Sequence, residues 1–280
     1  MALPPIVFDR ALIASRLRRR PAGRDDFVTA LVLADLDDRL STISRRFSRA
    51  AVIGPDPAVL PAAGRSGEGP IAFERHGTVL GDLDPEALAL PQTDYDLIVS
   101  LFDLNIVNDV PGFLYRVRAH LAGDGLFIAA ALGGDTLTEL RQAFLAADAM
   151  LQGGAFARVA PFIPIADVGG LLQRAGFALP VADIETHVVR YADPLRLMRE
   201  LKALGASNPL ADHPGKPATR TLLAAAAAQY EAASADDDGR VRATLDLIWM
   251  SGWAPHERQQ QPLKPGSASV SLASVLARKD

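Results

Sequence analysis

The chain has 280 residues, of which 49% are hydrophobic and 22% are charged, and its formal net charge is -4. This composition is typical of a folded globular protein with one core, and it provides no basic surface that would favour nucleic acid as the main partner. Cysteine is absent, which excludes disulfide bonds, thiolate zinc sites and cysteine nucleophiles.

The N-terminal stretch is rich in arginine, with Arg16 and the run Arg18–Arg20 ahead of Pro21. Such a run is either a basic docking arm or the solvated end of a helix. Asp9 interrupts the positive stretch and no apolar segment with a cleavage site follows, so we expect a cytoplasmic protein and not a targeting peptide. No apolar run approaches the roughly 20 residues that span a bilayer, and we expect no integral membrane segment.

The first predicted strand lies between an amphipathic helix and a proline-rich turn. Apolar residues recur at helical spacing from Asp25 to Leu40, which predicts an amphipathic helix capped by Asp25 or Asp26. Ala50–Ile53 predicts a short buried strand, which ends at Gly54-Pro55-Asp56-Pro57 because proline cannot donate to a strand ladder. Asp56 followed by Pro57 is typical of the N-cap and first residue of a helix.

The rest of the chain alternates between predicted strands and helices. Strands are predicted at Ile71–Phe73, Tyr95–Leu101, Gly125–Leu132, Val181–Tyr191, Ala243–Met250 and, as a final edge strand, Ser267–Leu276. Helices are predicted at Pro111–Leu121, Thr136–Leu151, Asp167–Ala175, Pro194–Leu204 and Thr219–Ala233.

This alternation predicts an α/β fold with a doubly wound, Rossmann-like sheet. We expect a single domain over residues 1–280. Its parts would be an N-terminal helical cap (1–48), the Rossmann-like core (49–192), a helical insertion before the last strand (193–240), and that strand with a tail (241–280).

Motifs along nearly the whole chain resemble one family. They are Phe8-Asp9-Arg10, Tyr95–Ser100, Val107-Asn108-Asp109, Gly133–Arg141, Val159–Phe162, Leu171–Phe177, Ser251–His256 and Pro265–Ala268. In this order they resemble class I S-adenosylmethionine-dependent methyltransferases, in particular methyltransferase-like proteins related to mitochondrial complex I assembly factor 5. The malonyl-carrier-protein methyltransferases of biotin synthesis are similar at a greater distance. The resemblance implies S-adenosylmethionine as the cofactor and a protein as substrate or partner.

The resemblance places the cofactor at the end of the first strand, where the family has an acidic residue and a run of glycines. Here Val52 occupies the acidic position, and Gly54 is the one glycine present because Pro55–Pro57 follows it. Side chains crowd a loop that must approach a ligand, and proline removes N–H donors. The cofactor loop is therefore degenerate.

Further cofactor residues follow from the same resemblance. Glu74, at the end of the predicted second strand, would bind the ribose hydroxyls, and Asp82 with Leu83 would face the adenine. Leu101, at the end of the strong strand Tyr95–Leu101, completes the set. The alternative is that Glu74 and Asp82 are solvated loop carboxylates. The segment is also short against the family, so the third strand is lost or fused around residues 78–80.

The acceptor side is expected at the best-preserved motif, Gly133–Arg141, beyond the end of a parallel strand. Asp135 and Arg141 would hold the acceptor there. A structural alternative is a capping box of Thr136 and Glu139. His256 is a further catalytic candidate.

Other sites are disfavoured by what the sequence lacks. The remaining histidines are scattered without metal-ligand spacing, so we expect no metal site. No Gly-x-Ser-x-Gly elbow of a hydrolase is present. The glycines that a dinucleotide-dependent dehydrogenase needs are missing.

Two functions remain open. The first is an S-adenosylmethionine-dependent methyltransferase-like protein that acts on a protein substrate in respiratory complex I assembly. The second is a non-catalytic pseudo-methyltransferase that serves as an assembly or binding factor. The resembled mitochondrial protein is associated with arginine hydroxylation, so the resemblance does not fix the reaction.

Overall fold

The computed structural model describes residues 5–21, 23, 26–212 and 218–259. The strands are β1 (Ala50–Gly54), β2 (Ala63–Ser66), β3 (Gly69–Gly77), β4 (Tyr95–Leu101), β5 (Leu121–Leu132), β6 (Ala178–Tyr191) and β7 (Val241–Trp253). The helices are α1 (Arg10–Arg18), α2 (Phe27–Ser41), α3 (Val110–Ala119), α4 (Thr138–Gln152), α5 (Ile165–Arg174), α6 (Pro194–Ala203) and α7 (Arg220–Ser234). Short 3-10 turns lie at Pro57–Val59 and Asp103–Asn105.

The strands form one seven-stranded sheet in the order β2-β3-β1-β4-β5-β7-β6. Strands β3, β1, β4 and β5 run parallel, whereas β7 is antiparallel to both β5 and β6. The predicted α/β fold with a Rossmann-like sheet is confirmed. Helices α6 and α7 lie between β6 and β7 in the chain, as predicted.

Helices cover both faces of the sheet. On one face α2 buries Val32, Leu36 and Leu40, one stripe at i, i+4 and i+8, against strand residues that include Val52 and Trp249. On the other face α3 and α5 supply the apolar residues. Helices α4, α6 and α7 form a third apolar cluster with Val241 and Ala243, at the start of β7.

The connection from β1 to β3 differs from the prediction. A crossover between parallel strands usually holds a helix. Here Asp56 caps as predicted, because its Oδ1 accepts from Ala58 N at 3.0 Å, but the helix it begins is the single 3-10 turn Pro57–Val59. The unpredicted strand β2 follows and pairs antiparallel with β3. Gly67 and Gly69, with φ of +141° at Gly69, are the turn residues that signal this hairpin.

The predicted bounds of the second strand, Ile71–Phe73, were wrong at both ends. Strand β3 begins at Gly69 and continues to Gly77, because it pairs with β2 and then with β1 along the whole length of β1. Residues 78–80 form a turn, so of the two predicted alternatives the third strand is lost at this position.

The predicted capping box of α4 was also wrong. The helix begins at Thr138, and its N-cap is Leu137 in the left-handed region, with no side-chain cap. The Glu139 carboxylate accepts instead from Thr244 N at 3.1 Å and from Thr244 Oγ1 at 2.5 Å, because β7 passes beside the start of α4. Tertiary contact therefore replaces the local cap.

At the N-terminus, Asp26 caps α2 as predicted. The arginine-rich stretch includes α1 and is tied to the protein itself, since Arg16 donates to Ser207 O at 2.8 Å and Arg20 forms an ion pair with Asp56. The predicted strand Ser267–Leu276 lies outside the described residues. Among the helices that the structure describes, none combines the length and apolar character that crossing a bilayer requires.

Candidate functional site

The parallel strands place their carboxyl ends at one edge of the sheet, where open α/β folds bind ligands. Strands β1, β3, β4 and β5 end at Gly54, Gly77, Leu101 and Leu132. Two of the predicted cofactor residues, Gly54 and Leu101, meet at this edge, because a Cβ added to Gly54 would lie 3.0 Å from Leu101 O. We call this edge, from Gly54 to the start of α4, the carboxyl edge.

The end of β1 is closed by the chain that follows it. Gly54 O accepts from Thr78 N at 2.8 Å, and Pro55 O accepts from Leu80 N at 2.9 Å. A Cβ on Gly54 would meet the Leu60 side chain at 2.8 Å. The backbone and the space beside Gly54 are therefore committed to internal contacts.

Two glycines allow the turn after β3 to fold tightly against Pro57. A Cβ added to Gly77 would lie 2.5 Å from Pro57 Cδ and 2.7 Å from Gly81 Cα. These are distances at which a side-chain carbon cannot fit without movement of the backbone. Glycine is needed at 77 so that the chain can close over the end of β1.

A buried carboxylate joins the ends of β3 and β4. Asp103 lies in the 3-10 turn after β4 and has no exposed surface. Its carboxylate accepts from Thr78 Oγ1 at 2.5 Å and from Ser100 Oγ at 2.8 Å. Arg10 of α1 donates to Thr78 O, which brings a guanidinium to the same cluster.

Burial decides the protonation of Asp103. It raises the pKa of this carboxyl to about 6, while the hydroxyl donors and the charge of Arg10 act in the opposite direction. Sequence reasoning missed Asp103. The signal was an acidic residue three positions after Ser100, directly beyond the strongest strand.

The N-terminal segment lies over the carboxyl edge. Besides the Arg10 contact, the ion pair between Arg20 and Asp56 is largely buried, with 10% and 14% of the two side chains exposed. Asn108 Oδ1 accepts from Val7 N at 2.7 Å and from Phe8 N at 2.8 Å. Residues 7–20 thus cover the carboxyl edge through polar contacts.

The family's cofactor does not fit this arrangement. A ligand carboxylate or phosphate at the end of a first strand is normally met by the N–H groups of a helix N-terminus. The described chain has no α-helix between β1 and β3, and the space next to Gly54 and Gly77 is filled by Leu60, Pro57 and Gly81. S-adenosylmethionine would need these contacts to rearrange.

The other predicted cofactor residues are spread apart. Glu74 faces Ala51 in the register, three residues before the end of β3, so its predicted place at the strand end was wrong. It accepts from Tyr95 Oη at 2.5 Å. Asp82 is an exposed loop residue, and Leu83 is half-buried against the core.

The predicted acceptor residues lie beyond β5, where they support the backbone. Asp135 is exposed and its N–H donates to Asp246 Oδ2 at 3.2 Å. Arg141 donates to Thr136 O at 3.3 Å and to Ala160 O at 3.4 Å. Asp135 and Arg141 therefore both lie at the carboxyl edge, one in the loop after β5 and the other in the first turn of α4, and Arg141 holds two loops.

His256 lies at the opposite edge of the sheet. Strand β7 is antiparallel, so its last residue Trp253 pairs with Leu126 near the start of β5. The His256 ring is beside Gly123, which precedes the apolar part of that strand. The structure does not bring His256 together with Asp135 and Arg141, so a shared catalytic site for the three was wrong.

Two surface cavities lie away from the carboxyl edge. One, of about 460 Å³, is lined by Ala178, Pro255, His256, Glu257 and Gln259, and the other, of about 270 Å³, by residues that include Arg39 and Trp249. Among the described residues, no group of three or more His, Asp or Glu side chains is arranged to hold a metal ion.

No protein-family model matches the chain. It is 38% identical over 192 residues to "Arginine-hydroxylase NDUFAF5, mitochondrial" of Danio rerio, covering 69% of this chain and 60% of that protein. The Homo sapiens protein of that name is also 38% identical, over 69% of this chain and 55% of its own length. Malonyl-[acyl-carrier protein] O-methyltransferase of Methylovorus sp. is 32% identical over 263 residues, covering 90% of this chain and 86% of that protein.

The chain belongs to the class I S-adenosylmethionine-dependent methyltransferase family. It spans little more than half the length of the NDUFAF5 relatives. Among solved structures, the chain is similar at low identity to YcgJ of Bacillus subtilis (TM-score 0.47, 10% identity, 82% of this chain, 100% of that chain) and to the [4+2]-cyclase SpnF (TM-score 0.46, 15% identity, 88% of this chain, 93% of that chain). Both scores lie below 0.5, so the fold class rests on the strand order.

The substitution Gly77→Ala tests the closed carboxyl edge. We predict a loss of about 1 to 3 kcal/mol in the free energy of unfolding, because the added methyl overpacks against Pro57 and Gly81. Gly170→Ala is the matched control, since this glycine lies inside α5 with open space around it and the change there stabilises by up to about 1 kcal/mol. Urea unfolding of both variants measures the difference, and equal stability of the two would contradict the closed edge.

The buried carboxyl makes stability depend on pH. A carboxyl whose pKa is raised by folding stabilises the protein most below the unfolded value of 3.8, and this contribution is lost as the pH rises to about 6. We predict a fall of about 3 kcal/mol across this window, at about 1.36 kcal/mol per pKa unit.

Urea unfolding from about pH 4 to about pH 8 measures this fall in the wild type and in Asp103→Asn. The fall is expected to disappear in Asp103→Asn and to persist in the control Asp82→Asn, which changes an exposed carboxylate. An undiminished fall in Asp103→Asn would rule out Asp103 as its source.

Proposed function

We propose that this methyltransferase-like protein serves in the assembly of respiratory complex I by binding a protein partner, without methyl transfer from S-adenosylmethionine. The observation that carries the proposal is the closed carboxyl edge, where Gly54 and Gly77 pack against the protein's own chain. An assembly factor needs a surface for its partner, and it does not need an open cofactor cleft.

The partner half of the proposal is supported by relatedness. The NDUFAF5 relatives align over 69% of this chain, and the motifs that the sequence shares with that family lie along nearly its whole length. The name of these relatives describes an arginine hydroxylase, so family membership by itself does not select methyl transfer.

The non-catalytic half is supported by the state of the cofactor residues. The glycine run is replaced by Pro55–Pro57, and the carbonyls of Gly54 and Pro55 accept from the turn after β3. Glu74 of β3 accepts from Tyr95 Oη of β4, across the intervening strand β1. A pseudo-methyltransferase accounts for all three features.

A second candidate is an S-adenosylmethionine-dependent methyltransferase in which the cofactor binds after a rearrangement of residues 55–60. The relationship to the malonyl-[acyl-carrier protein] O-methyltransferase of Methylovorus sp. favours it, because that alignment covers 90% of this chain. Gly54, Asp82, Leu83 and Leu101 would then line the cofactor, with Asp135 and Arg141 toward the acceptor.

Calorimetric titration with S-adenosylmethionine and S-adenosylhomocysteine separates the two candidates. We predict no binding up to millimolar ligand, because the carboxyl edge has no room beside Gly54 and Gly77. Micromolar binding that Asp82→Ala weakens would replace the proposal by the second candidate. Arg65→Ala, on the exposed part of the β2 edge strand, is the control for unspecific loss.

Deletion of the gene tests the role in assembly. We expect the amount of fully assembled complex I on native gels to fall in the deletion strain, and the wild-type gene to restore it. The exposed variants Asp135→Asn and His256→Gln are expected to rescue equally well, because neither carries a catalytic step in the proposal. Undiminished complex I in the deletion strain would refute the assembly role, and failure of a folded variant to rescue would favour catalysis.

The cytoplasmic location stays a prediction, which fractionation of the same cells tests.

A further inference from the structure

Strand β6 is an open edge of the sheet. Its one strand neighbour in the described part of the chain is β7. Six consecutive residues, 181–186, are exposed. Because successive residues of a strand point to opposite faces, this run means that neither face of β6 is covered there.

The open edge carries apolar side chains and little protection. Val181, Ile184 and Val188 are 58%, 39% and 57% exposed. Proteins usually block such edges with lysine, proline or a bulge. Here Pro180 and a register shift before Val181 protect the first residues, but residues 181–191 contain no proline, glycine or lysine. The segment is available for pairing with another strand.

We propose that a second copy of this chain pairs with β6, antiparallel and centred on Thr186, so that two sheets join into one across a two-fold axis. The axis is perpendicular to the sheet and keeps each face on its own side. In this register Ile184 lies opposite Val188 of the other copy, and Glu185 lies opposite His187. Each of these pairs occurs twice, and such cross-strand apolar and polar pairs stabilise a ladder.

The neighbouring registers are less favourable for a charge reason. The two-fold axis allows a shift of the centre by one residue at a time. A centre on Glu185 would place this residue opposite itself, and a centre on Ile184 would place Asp183 opposite Glu185 twice. A centre on His187 would place His187 opposite itself. Like charges directly opposite destabilise a strand pair, so complementarity selects Thr186.

The other contacts of β6 are compatible with this arrangement. Thr186 Oγ1 donates to Asp246 Oδ1 at 2.6 Å within the same chain, and Asp183 pairs with Arg39 at 2.7 Å. Asp183 would lie opposite Val189 and would keep its arginine. The dimer uses the outer edge of the sheet and does not depend on the proposed function. Its centre is linked to the α4 end of the carboxyl edge through Asp246, whose carboxylate accepts from Thr186 Oγ1 and from Asp135 N.

The oligomeric state of the full-length chain tests the dimer. Sedimentation equilibrium is expected to give the mass of two chains for the wild type. Ile184→Lys and Val188→Lys are expected to raise the dissociation constant by about tenfold or more, because a lysine replaces the apolar member of a pair. Met150→Lys is the matched control, since Met150 is 67% exposed on α4 and lies outside β6. Circular dichroism verifies that each variant is folded.

Charge reversal tests the register. Glu185→Lys and His187→Glu are each expected to weaken the dimer, and the double variant is expected to restore it, because residue 185 of one copy again faces a residue 187 of opposite charge on the other copy. His187 Nε2 and Glu185 Oε1 also lie 3.7 Å apart within one strand, so circular dichroism of each variant verifies that the fold itself is unchanged. A monomeric wild type would overturn the proposal, as would a dimer that none of these variants weakens. A monomer whose β6 amides exchange slowly with deuterium would also overturn it and would assign the edge to the chain's own tail.

Discussion

The close packing of the turn after β3 on the end of β1 determines what the carboxyl edge can do. Gly77 and Gly81 approach within distances that exclude any Cβ, and Pro57 fills the remaining space. Once the turn is there, Gly54 O and Pro55 O have internal donors, and neither a helix nor a ligand is needed to satisfy them. The loss of the first crossover helix and the loss of the family's glycine run therefore have one structural cause.

Asp103 stabilises the same edge by a different interaction. A fully buried carboxyl is costly unless hydroxyl donors or a positive charge accompany it, and Thr78, Ser100 and Arg10 supply both. These partners come from the turn after β3, from β4 and from α1. The cluster thus links the N-terminal segment with the ends of two central strands, and its polar groups bind one another.

The fold could be predicted from the sequence farther than the site could. A buried strand such as Tyr95–Leu101 can be recognised from its own residues, because most of them are apolar, and the structure confirms its bounds. The β2–β3 hairpin has many exposed residues and a weak hydrophobic pattern, so its strands were missed or predicted too short. The length of β3 follows from its pairing with β1 and β2. The contacts of Glu139 with Thr244 and of Asp103 with Thr78 join residues distant in the chain. The sequence pattern contains no information on such tertiary partners.

The position of β7 has a consequence for the order of folding during synthesis. Strand β7 is the last strand that the structure describes along the chain, yet it lies between β5 and β6, more than 100 residues after β5. Until the ribosome has released residues 241–253, β6 has no neighbour in the sheet and the edge of β5 is open. From the end of β5 at Leu132 until β7 is complete at Trp253, the nascent chain carries an unpaired strand edge on β5, and β6 adds further unpaired edges once it is made. Exposed strand edges of this kind promote aggregation.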